Sequence, residues 1–262
     1  MGYITEEDFL NLCMDKYNIF IEENNWKYDF SKEFPHSLDS EASWLSQFIF
    51  KKLLESKFEM YIGGFSRISM NTDNSVTFSF DIMNNPNPSS RDFYRIGSNA
   101  KNQCPDFWEE WNKLKYTIGN FAPIPNLKKK GRHLQHVHRD KNERWDLLLD
   151  YCRGNWDKYT CSSIMSYNEY MKLTCQQIYF KEIYDDFVEN KLNNRKVEEI
   201  QNHEYCSWIE EWNKKIDESK DLEVISFGEK STKMKDIENV VEMICLLIQV
   251  RGCMMLAFLN NC

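Results

Sequence analysis

The stretch GRHLQHVHRDKNERW, Gly131–Trp145, places three of the chain's five histidines within six residues, among three arginines. Those residue types suit either metal or acid–base chemistry. On a helix, His133, His136 and Asp140 fall within about 60° of one another at 3.6 residues per turn. Two imidazoles and a carboxylate on one face suit a transition metal with open positions. On a strand, His136 and His138 would share a face instead. The spacing matches no established zinc signature such as H-E-x-x-H. Histidines beside arginines are more often polar surface. No resident metal or cofactor is therefore expected, and His133, His136 and Asp140 are the weak candidates for one.

Arg132 and His138 offer a second chemistry. An arginine followed by five residues and a histidine, with a polar residue directly after the arginine, resembles the R-x(4–6)-H motif of HEPN-type ribonucleases. Those are all-helical, metal-independent enzymes whose active site forms across a dimer. The resemblance implies that Arg132 would stabilise phosphate charge and that His138 would act as general acid or base, a role suited to imidazole near neutral pH. The plainer reading is a solvated basic loop. Lys128–Arg144 carries lysine and arginine in excess over two acids, and Lys128, Lys129, Lys130, His133, His136, Arg139 and Arg144 are its candidate binding residues. Arg144 has a structural alternative, because Glu143, Arg144 and Asp146 open a helix where charges set the entrance.

No P-loop, dinucleotide-binding glycine motif, nucleophile elbow or kinase motif set occurs elsewhere. With a net charge of −8, the whole chain has no broad electrostatic footprint for nucleic acid. Nucleic acid is an expected partner only if the 128–144 segment forms a patch; otherwise a protein partner or a second copy is expected. The cysteine count is nine, odd and without a C-x-x-C pair, which fits reduced thiols in a cytoplasmic protein better than a disulfide framework. The N-terminus lacks the marks of a signal peptide. The most apolar stretch, Val240–Leu259, includes Glu242, Gln249 and Arg251, which points to a buried amphipathic helix rather than a membrane span.

The elements that would position these residues are mostly helical. Glycine (9) and proline (6) are scarce and aromatic residues reach 15%, which disfavours a turn-rich sandwich or barrel. Helices are predicted over TEEDFLNLCMDKYNIFIEE, SEASWLSQFIFKKLLESKF, DFWEEWNKLKYTIGNF (ending at Gly119), NERWDLLLDYCRGNW, HEYCSWIEEWNKKIDES and KDIENVVEMICLLIQVRGCMMLAFLNN. SYNEYMKLTCQQIYFKEIYDDFVENKLN reads as one long helix or a pair. Phe58–Met83 alternates β-branched and aromatic residues around NTDNS, which predicts a hairpin or small sheet. NNPNPSSRDF is a loop and a candidate internal boundary. The expected fold is α+β, predominantly α-helical. A small N-terminal hairpin or sheet packs on a helical body whose core includes Trp145, Leu148, Leu149, Ile244, Leu247 and Ile248. The chain, 1–262, reads as a single domain with a possible division into 1–83 and 105–262.

Three segments, YTIGNFAPIP (Tyr116–Pro125), NERWDLLLDYCR (Asn142–Arg153) and IENVVEMICLLIQVRGCMML (Ile237–Leu256), occur in an order that resembles a group of uncharacterised bacterial proteins, mostly from Firmicutes. Those proteins carry an IGNF…P segment, an acid–Arg–aromatic–Asp–Leu helix and a final helix with RG-x-x-M. Cys253 stands where they usually have a second arginine. The resemblance covers roughly the last 150 residues and implies kinship without an activity. The expectation for function is a soluble intracellular protein that binds or regulates without catalysis; the alternative is the ribonuclease built on Arg132 and His138.

Overall fold

The computed structural model describes residues 6–32, 43–58, 60–61, 69–72, 76–84, 105–126, 144–219, 221–228 and 234–260. Its helices are α1 (Glu6–Glu22), α2 (Trp44–Leu54), α3 (Pro105–Leu114), α4 (Trp145–Gly154), α5 (Tyr167–Leu173), α6 (Lys181–Asp186), α7 (Asn202–Glu218) and α8 (Met234–Leu259). Four strands, β1 (Met60–Tyr61), β2 (Ser69–Thr72), β3 (Thr77–Ile82) and β4 (Phe121–Pro125), form one antiparallel sheet in the order β1-β2-β3-β4. The fold is α+β and predominantly helical, as composition and periodicity predict.

The hairpin around NTDNS is present: Asn71 pairs with Thr77 and Ser69 with Ser79. Val76, Phe78 and Phe80 are buried at every second position, the period-2 pattern of a strand with one face on the core. The sheet is not purely N-terminal, however. β4 comes from the middle of the chain and lies along β3, from Ile82↔Phe121 to Phe78↔Pro125. All five β4 residues are buried. Pro123 and Pro125 supply no N–H, which is tolerated because β4 is an edge strand, and the Tyr170 hydroxyl donates to the Pro123 carbonyl at 3.0 Å.

One helical prediction needs correction, and where one long helix or a pair was expected the structure has the pair. The helix that opens at Pro105 stops at Leu114, and Ile118–Asn120 is a separate 3₁₀ turn leading straight into β4. The SYNEY…KLN stretch is broken into α5, a 3₁₀ turn at Gln177–Tyr179, and α6 running into a π-helical turn at Phe187–Lys191. The first break falls at Cys175, whose φ of 52° lies in the left-handed region that a helix cannot continue through.

The longest helix is α8, the centre of the body, packed against α2, α3, α7 and the Ile118–Asn120 turn. Lys235–Leu259 is long and apolar enough to cross a membrane by length and composition, yet 72% of its most apolar window is buried within the fold. All six of the predicted core residues are buried. The Trp108/Trp111 and Trp208/Trp212 pairs are also inside, in ring contacts of 5.8 and 6.3 Å, so they act as packing aromatics.

Candidate functional site

Of the residues singled out for chemistry, Lys128, Lys129, Lys130, Arg132, His133, His136, His138, Arg139 and Asp140 lie outside the described residues. The flanks of that segment are described. Before it, the Asn126 carbonyl accepts from the Thr160 N–H at 2.8 Å. After it, Arg144 precedes α4 and is tied at three points. Its Nε donates to Asp146 Oδ1 at 3.1 Å, its Nη2 closes the bidentate pair on Asp146 Oδ2, and its Nη1 donates to the Gly228 carbonyl at 2.7 Å. Asp146 is buried and also accepts the Phe227 N–H at 3.0 Å. Arg144 therefore spends its guanidinium on a carboxylate of its own chain. The group latches the start of α4 to Phe227–Gly228, where Gly228 sits at φ 77°.

A buried polar hub is the most unusual feature of the described fold. Arg251 is fully buried and has no carboxylate partner among its hydrogen bonds. Its Nε and Nη2 donate to the Thr174 carbonyl at 3.1 and 2.8 Å. Its Nη1 reaches the carbonyls of Ile118, Gly119 and Phe121 at 3.3, 2.9 and 2.6 Å. Burial pulls this guanidinium below its ordinary pKa, while the dipoles of four carbonyls take the place of a counter-ion. Beside it, Trp145 Nε1 donates to Gln176 Oε1 at 2.8 Å, and Gln176 Nε2 donates to the Thr174 hydroxyl at 2.7 Å. Asn120 Nδ2 donates to the Asn84 carbonyl at 3.1 Å, and Asn84 Nδ2 donates to the Tyr179 hydroxyl at 2.9 Å.

This hub joins three segments far apart in the chain, around Ile118–Asn120, Trp145 and Arg251. The Ile118–Asn120 turn accepts from Arg251, Arg251 donates to Thr174, and the Trp145 indole donates to Gln176, which in turn donates to the Thr174 hydroxyl. Gly119 allows the turn to approach α8, and Gly252 packs against Trp26. A Cβ on Gly119 would stand 2.0 Å from the Ile248 carbonyl oxygen, and one on Gly252 would stand 3.0 Å from the Trp26 ring. Gly119 is thus needed for close packing of the turn on α8, not as a helix stop. Asn84, Thr174 and Gln176 escaped the sequence reading because a buried polar network has no periodicity and its partners are largely backbone atoms. Thr174, Gln176, Asn84, Asn120 and Arg251 each have no accessible surface, so the hub meets no ligand from solvent.

The thiols are equally withdrawn. Cys152, Cys161, Cys175, Cys245 and Cys253 are buried. Burial pushes Cys152, Cys175, Cys245 and Cys253 up to about 12, so none is a thiolate nucleophile near neutral pH. Cys152 lies 3.3 Å from the Tyr159 hydroxyl. Burial likewise raises the phenols of Tyr159, Tyr167 and Tyr170, whose rings surround Trp156 at 5.2–5.6 Å. No group of three or more His, Cys, Asp or Glu among the described residues has metal-holding geometry.

One open cavity of about 500 Å³ is lined by Arg153, Asn168, Phe180, Asp221, Leu222 and Glu223, together with Ser219. Arg153 already donates to the Leu222 carbonyl at 2.7 Å and to Asp150 at 2.9 Å. A smaller cleft of about 160 Å³ beside α1 is lined chiefly by Ile19, Phe20, Tyr28 and Leu45. No family model, curated protein or solved structure matches the chain.

Proposed function

We propose that the chain is a soluble intracellular protein that binds or regulates a partner without catalysing a reaction, and that it belongs with the bacterial proteins its three motif segments resemble. The observation behind this reading is the use the fold makes of its polar groups. Arg251 is saturated by backbone carbonyls, the Arg144–Asp146 pair latches two segments together, and four thiols are held protonated. Groups so committed serve architecture. Kinship rests on the three motif segments, which the buried hub brings together through Gly119, Trp145 and Arg251.

Binding is assigned to the basic stretch, with Lys128, Lys129, Lys130, His133, His136 and Arg139 as contact residues and an acidic protein surface or a second copy as partner. Both described flanks, Asn126 and Arg144, are tied to the body, so the stretch starts and ends at tied positions. The test is affinity purification from cells that express the chain, with cross-linking and mass spectrometry. Wild type is compared with a variant carrying Lys128→Glu, Lys129→Glu, Lys130→Glu and Arg139→Glu. The expected result is a partner, or a dimer band, that the variant loses while its melting temperature stays unchanged. Equal recovery by both proteins would remove the basic stretch from the account.

A further inference from the structure

We draw no further inference here: the strongest candidate, the open groove lined by Arg153 of α4, Asn168 of α5 and the acidic pair Asp221 and Glu223, has among its described lining residues no buried unpartnered side chain to indicate which ligand would fill it.

Discussion

Replacing Arg251 by leucine tests the hub at its centre. Where a buried ion pair is replaced whole by apolar residues, both charged partners leave together and the change is often neutral. That escape is closed here, because the partners of Arg251 are main-chain carbonyls that no side-chain substitution removes. The Ile118 carbonyl keeps a second donor in the Phe121 N–H. Taking Gly119, Phe121 and Thr174 as the carbonyls left without a donor, at about 1–3 kcal/mol each, the gross loss is about 3–9 kcal/mol. Relief of the desolvated cation works the other way, and the smaller leucine leaves unfilled space. A net loss of about 3 kcal/mol is expected, equivalent to a fall in melting temperature of about 6–12 °C for a chain of this size. Urea unfolding followed by circular dichroism measures it, with the slope unchanged and the midpoint lowered. Arg251→Lys keeps the charge but has a single ammonium for carbonyls on two segments, so it should fall between wild type and leucine. A leucine variant within about 2 °C of wild type would refute the claim that the carbonyls depend on this guanidinium.

Two glycines give a paired test. Gly119→Ala drives a Cβ into the Ile248 carbonyl oxygen and should prevent soluble expression or lower the melting temperature sharply, whereas Gly154→Ala meets nothing within 4 Å and should raise stability by about 0.5–1 kcal/mol. Glu169 is held down to about 2, first by its hydrogen bond from Lys57 and then by the Ser166 N–H. A depressed carboxylate contributes stability that is full above its unfolded value near 4.5 and is lost as pH falls toward about 2. Glu169→Gln should therefore flatten part of the acid limb of a stability–pH curve while leaving its shape above about pH 6 unchanged; an identical acid limb would count against the pair. Native-state alkylation at pH 8 with peptide mapping should leave Cys152, Cys175, Cys245 and Cys253 unmodified until denaturant is added. Labelling of any of them in the folded protein would contradict their burial.

The parts of the fold legible in the sequence are those with a period. α4, α7 and α8 follow the 3.6-residue repeat of their buried faces, and β2 and β3 follow the alternation around NTDNS. β4 was not legible as a strand, because FAPIP is buried on both sides and has no alternation to mark it as a sheet partner of β3. The break after α5 carries no glycine or proline; Cys175 takes the left-handed conformation without a signal in its residue type. Arg251 was readable as a charge that argues against a membrane span. Its saturation by carbonyls was not readable, since those acceptors belong to the backbone and are the same for every residue type. Arg144 and Asp146 were readable as a helix entrance, but their tie to Phe227 and Gly228 joins residues far apart in sequence.

The central claim, binding without catalysis, is tested most directly by an RNA cleavage assay on the purified full chain, with and without EDTA, beside Arg132→Ala and His138→Ala. The account predicts no cleavage above a buffer control for any of the three proteins. EDTA-resistant cleavage by wild type that both substitutions abolish would contradict it and make Arg132 and His138 a catalytic pair.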